Sequence, residues 1–136
     1  MLLHVMLHVG DLERSIDFYT RALGMRVLRR REAPGEGRRA AFVGYDEERA
    51  ASAIELTSWT GVPVPEQART FGHVAIGVAD ASAACEAVRA GGGSVTQQPT
   101  RLPSGTAIVA FTADPDGYSI ELVERLPSWP YGAPTP

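Results

Sequence analysis

The chain has 136 residues, 44% of them hydrophobic, and a formal net charge of −3. That length supports a compact domain with a real core, and the charge argues against general nucleic-acid binding. One cysteine excludes a disulfide framework and a thiolate zinc cluster, and with arginine as all 13 basic residues there is no lysine for Schiff-base or general-base chemistry.

The N-terminal "MLLHVMLHVGD" lacks a basic n-region, and no apolar run approaches a membrane span, so a cytoplasmic protein is expected. "LLHVMLHV" alternates as a half-buried strand: Leu3, Val5, Leu7 and Val9 on one face, His4, Met6 and His8 on the other. Asp11 reads as an N-cap, Leu12, Ile16, Tyr19 and Leu23 follow at helical spacing, and Gly24 stops the helix. "RVLRR", "AAFVGY" and "ASAIELTSW" read as strands. The clusters Arg29–Arg31 and Arg38–Arg39 flank "EAPGEG". They read as solvated hairpin ends or as the rim of an anionic substrate's entrance.

The order then repeats. "HVAIGV" is a strand, Asp80 a cap, and Ala81, Ala84, Cys85 and Val88 a buried helical stripe ended by Gly91–Gly93. Cys85 on that stripe reads as a small buried filler. "SVTQQ", "TAIVAFT" and "YSIELVE" complete the set, with "DPDGY" as a turn before the last strand. His4 falls on His73, Asp11 on Asp80, Gly24 on Gly93 and Phe42 on Phe111, all 69 residues apart, while Glu55 falls on Glu121 at 66. Such a repeat implies two copies of one supersecondary unit. The expected class is α+β, one domain of two tandem βαβββ units with curved sheets, over about 1–65 and 66–125. A Pro-rich tail, 126–136, is expected as an extended end, unless Trp129 and Tyr131 cover a neighbouring surface.

In four of the strands the large apolar residues face one way, so period two sends His4, Glu55, His73 and Glu121 to the other face. A lone strand histidine or glutamate is more often structural. Recurrence of both types at equivalent positions points instead to a metal site. Two imidazoles and two carboxylates suit a borderline divalent ion such as Zn²⁺, Ni²⁺, Co²⁺, Mn²⁺ or Fe²⁺.

The stretches "LLHVMLHVGDLERSIDFYTRALGM", "AFVGY", "IELT", "FGHVAIGV" and "DPDGYSIEL" resemble glyoxalase I, the lactoylglutathione lyase family of the vicinal oxygen chelate superfamily, across most of residues 2–124. The resemblance implies isomerisation of the methylglyoxal–glutathione hemithioacetal to S-lactoylglutathione, a methylglyoxal detoxification, with a metal stabilising the ene-diolate. It implies His4, Glu55, His73 and Glu121 as metal ligands, Glu121 as the main base and Glu55 as the second acid/base. It also implies a homodimer in which His4 and Glu55 of one chain join His73 and Glu121 of the other. The compact length resembles nickel- or cobalt-activated members more than the longer zinc enzymes. The thiol contacts depart from the family's pattern. His8 stands where many members have an arginine for a glutathione carboxylate, Trp59 replaces an asparagine, and Pro103 lies near a usual lysine. A histidine there is cationic only when protonated. Arg69 and Arg101 are the remaining expected anion contacts.

Other readings are a superfamily epimerase, an extradiol dioxygenase, a thiol transferase or a non-enzymatic binder. Glutamate at 55 argues against the first two, and retention of all four ligand residues argues against the binder.

Overall fold

The computed structural model describes residues 4–33, 35, 37–46, 51–63 and 73–129. The chain divides into two compact units, Met1–Glu66 and Gln67–Pro136. Among the described residues, no helix is long and apolar enough to cross a membrane.

The first unit runs β1 (His4–His8), α1 (Leu12–Asp17), β2 (Arg26–Ala33), β3 (Arg38–Gly44) and β4 (Ala53–Trp59). Its sheet has the order β1-β4-β3-β2, with β1 parallel to β4 and the other pairs antiparallel. The second unit repeats it: β5 (Val74–Val78), α2 (Ala81–Ala90), β6 (Ser94–Arg101), β7 (Ala107–Ala113) and β8 (Ser119–Arg125), in the order β5-β8-β7-β6. Neither sheet closes into a barrel. Both are the expected β-α-β-β-β.

The periods read from sequence decide the packing. Leu7, Ile54 and Leu56 are buried in the first unit, as are Ile76, Ile120 and Leu122 in the second. Each helix starts on the expected aspartate. Asp11 accepts from the Arg14 amide at 3.0 Å and Asp80 from the Ala83 amide at 2.9 Å, caps worth about 1 kcal/mol each. The first helix departs from the regular reading. After Asp17 it widens into a π-helical turn, Phe18–Ala22, which turns both Phe18 and Tyr19 into the core. Thr20 donates its hydroxyl to the Ile16 carbonyl at 2.7 Å, the back-bonding that loosens a helix locally.

The "DPDGY" turn forms as expected. Asp114 accepts from the amides of Asp116 and Tyr118 at 2.9 and 2.8 Å, and Gly117 takes φ 91°, which only glycine adopts readily. At its start the tail follows the second of its two readings: Leu126–Trp129 is a turn folded back on the second unit, with the Leu126 amide on the Thr106 carbonyl at 3.0 Å and the Ser128 hydroxyl on Gly105 at 2.9 Å. Local hydrogen bonds to the β6–β7 turn outweigh the chain's proline content here. Tyr131 and the rest of the tail lie outside the described residues.

Candidate active site

Each unit sets one histidine beside one glutamate on the face of its sheet opposite the helix. In the first, β1 and β4 run parallel with Met6 opposite Glu55, which brings His4 Nε2 to 3.1 Å from Glu55 Oε2. In the second, Ala75 lies opposite Glu121, and His73 Nε2 stands 3.1 Å from Glu121 Oε2. The same register, two sheets apart in sequence, produces the same pair.

The repeated phenylalanines support these pairs, a role the sequence reading did not assign. Phe42 lies across the ladder from Glu55, and Phe111 across from Glu121. Their rings meet His4 and His73 edge-to-face at 5.3 and 5.5 Å. Contacts of this type contribute about 0.5–1.5 kcal/mol and restrict the imidazole plane, so that Nε2 faces the carboxylate. The recurrence of Ala-Phe at the histidine offset was the available signal.

The surroundings of the two carboxylates differ. Glu55 is buried, its side chain 8% exposed. Arg38 Nη2 donates to its Oε1 at 2.6 Å and Thr57 Oγ1 donates to the same oxygen at 3.1 Å, which leaves Oε2 to His4. Repeat alignment puts Ala107 and Val123 at the places of Arg38 and Thr57. Glu121 is 23% exposed, and among the described residues His73 is its polar partner. Thr57 was not named from the sequence, and Arg38 only as a hairpin end or substrate rim, because both reach Glu55 only through strand pairing. Arg29, Arg30, Arg31 and Arg39 are exposed, as the first of the two readings of the arginine clusters has it, and Arg38 is half-buried; Arg29 lies over the Phe42 ring at 3.4 Å, and Arg30 and Arg39 bond Glu13.

The donor set fits a divalent cation. Two ligands each about 2.1 Å from one ion, at right angles, stand about 3.0 Å apart, close to the separation within each pair. Among the described residues, no group of three or more histidine, cysteine, aspartate or glutamate side chains could hold an ion. Each unit brings one pair of candidate donors together.

Of the other expected contacts, His8 and Trp59 pack edge-to-face at 4.6 Å, with the Arg38 guanidinium 5.9 Å from the Trp59 ring. Arg101 ends β6 and donates to the Gly105 carbonyl at 3.4 Å, outside the cavity beside Glu121, which Leu102 lines instead. Arg69 lies outside the described residues.

Residues 1–122 match the Glyoxalase/Bleomycin resistance protein/Dioxygenase superfamily. The chain is 50% identical over 124 residues to the lactoylglutathione lyase of Escherichia coli O157:H7, covering 91% of this chain and 92% of that one. It belongs to the lactoylglutathione lyase, or glyoxalase I, family. Solved structures agree. The crystal structure of glyoxalase I from Zea mays matches with a TM-score of 0.85 at 40% identity, over 91% of this chain and 44% of that one, so this chain spans under half of the maize protein. The Leishmania major glyoxalase I, described as trypanothione-dependent, matches with a TM-score of 0.78 at 40% identity, over 90% of this chain and 85% of that one.

Proposed function

We propose that this chain is a metal-dependent lactoylglutathione lyase. It isomerises the hemithioacetal of methylglyoxal and glutathione, or a closely related carboxylate-bearing thiol, to the 2-hydroxyacyl thioester. The observation that carries the reading is the duplicated histidine–glutamate pair, at 3.1 Å in each unit, in a chain half identical to an enzyme of that name.

His4, Glu55, His73 and Glu121 would hold the ion. When bound, a divalent cation supplies Lewis-acid stabilisation of negative charge developing on the substrate oxygens. The chain's own residues move the proton. Glu121 removes it from the carbon bearing sulfur, the electron pair shifts toward the neighbouring carbonyl oxygen to give an ene-diolate, the proton returns to the neighbouring carbon, and the hydroxyl proton of the sulfur-bearing carbon passes to the neighbouring oxygen, which leaves the thioester carbonyl. Atoms and electrons balance without an external oxidant or reductant. Its open surroundings support Glu121 as the group that changes proton state. Glu55, held at Oε1 by Arg38 and Thr57, suits the steadier role of ligand and second acid/base. Positioned carboxylate proton transfer is worth about 10²–10⁴-fold.

The assembly proposed is a homodimer in which His4 and Glu55 of one chain meet His73 and Glu121 of a second copy. The two-ligand sets support it, since a catalytic centre needs three or four. Nickel, cobalt and zinc are the candidate ions. A cytoplasmic setting belongs to the same proposal, in keeping with Cys85 as a buried free thiol.

The test is thioester formation from methylglyoxal and glutathione on chelator-stripped protein reloaded with Ni²⁺, Co²⁺ or Zn²⁺. Activity that returns with one or more ions is the expected result. Silence with stoichiometric metal bound would overturn the reading.

A further inference from the structure

The helix-free face of the second unit holds a cavity of about 260 Å³ that runs along β8 from Glu121 past Val123 to Arg125, walled by Leu102, Val109 and Trp129. It exists because of one residue on the neighbouring strand. The first unit has His8 on β1, packed against Trp59 at 4.6 Å, where the second unit has Gly77 on β5. With no side chain at Gly77, the floor stays open.

Arg125 stands at the end remote from Glu121. Its Nε is buried and, among the described residues, has no hydrogen-bond partner and no carboxylate beside it. The contact it does make is with the Trp129 ring, 5.5 Å from its Cζ. That ring is placed by backbone: the Trp129 amide bonds the Leu126 carbonyl at 2.8 Å, and the turn is tied to Gly105 and Thr106. A buried donor without an acceptor, on a cation without a counter-ion, is destabilising unless a ligand supplies the anion. Pockets for whole drug-sized ligands run to about 300–1,000 Å³, so this one suits a single arm of a larger molecule.

We propose that the cavity is an anionic-arm subsite. It receives a carboxylate-bearing, partly apolar arm of the thiol adduct, with Arg125 pairing the carboxylate and Trp129 and Val109 covering the carbon chain. Glu121 and Arg125 are four strand residues apart, about 13 Å, so an adduct reacting at Glu121 carries this anion on an extended arm. The identity of the adduct rests on the glyoxalase I reading; the anion preference does not.

The experiment is calorimetric titration of the metal-loaded protein with S-hexylglutathione and with its diethyl ester, for wild type, Arg125→Gln, Arg125→Lys and Gly77→His. Wild type is expected to bind the acid more tightly than the ester. Arg125→Gln should weaken the acid by about tenfold to hundredfold and leave the ester unchanged, with Arg125→Lys recovering part of the loss. Gly77→His should weaken both ligands. The strand backbone at Gly77 is ordinary and an added Cβ meets nothing within 4 Å, so that variant should fold. Equal losses for acid and ester in Arg125→Gln would mean that Arg125 merely supports Trp129, and would overturn the proposal. So would unchanged binding of the acid. Thioester formation is assayed separately. An active enzyme whose binding ignores Arg125 sinks the subsite alone, whereas charge-dependent binding without turnover sinks the glyoxalase I reading alone.

Discussion

The first unit buries its glutamate among donors, and the second leaves its glutamate half open beside a cavity. Glu55 has Arg38 and Thr57 on one oxygen and His4 near the other, while Glu121 has His73. The strand on the far side differs in the same sense. His8 fills the first unit's face against Trp59, and Gly77 empties the second's. Duplication explains why the pairs share a geometry. Divergence after duplication separates a carboxylate held by two further donors from one that lies beside a cavity, the asymmetry that the proposed single-base proton transfer would use.

The sharpest way to break this comparison is to neutralise each carboxylate in turn. Glu121→Gln should lower kcat by about 10²–10⁴-fold while metal content by mass spectrometry stays near wild type. Glu55→Gln should lose less, since it removes the held partner. Equal losses would erase the distinction between the units. Arg38→Met should destabilise the metal-free protein by about 1–2 kcal/mol in urea titration. The loss stays below that of a fully buried pair because Arg38 is 30% exposed. Metal loading should shrink it, because bound cation replaces the lost charge partner.

A subtler change transfers one donor between units. Val123→Thr places a hydroxyl at the second unit's counterpart of Thr57. A severalfold drop in kcat with KM within about twofold is expected, as the added hydrogen bond steadies the Glu121 carboxylate. The smallest effect lies at the helix start. Glu13 accepts both Arg30 guanidinium nitrogens at 2.8 and 3.0 Å, where the second unit has Ser82. The Arg30 hydrogen bonds hold the Glu13 carboxyl below its ordinary value of 4.5. A lowered folded value stabilises above the unfolded pKa and is lost as pH falls through the folded one. Glu13→Gln should therefore cost about 0.2–0.5 kcal/mol at pH 7 and nothing measurable near pH 2, read from urea midpoints at both pH values.

Much of this was legible beforehand. Alternation in "LLHVMLHV" separated His4 from Leu3, Val5 and Leu7, and the same rule separated Glu121 from Ile120 and Leu122. The offset of 69 turned isolated residues into equivalent ones, and both helix caps were named from aspartate and spacing. What escaped the reading lies across strands. Arg38 is 17 residues from Glu55 and touches it because β3 pairs β4 with Phe42 opposite Glu55. The π-helical turn after Asp17 escaped too, since an extra residue in a helical turn leaves no mark in a 3.6-residue pattern.

By itself, then, the sequence determined the duplicated β-α-β-β-β order, the face of each strand and the choice of two histidines and two glutamates at equivalent positions, because period and repeat are properties of a line of residues. The tertiary structure alone decided which histidine stands 3.1 Å from which glutamate, that Arg38 and Thr57 share one oxygen of Glu55, and that a glycine and a folded-back tryptophan leave a cavity beside Glu121. Side chains on paired strands meet at distances set by register, and register joins residues that are far apart along the chain.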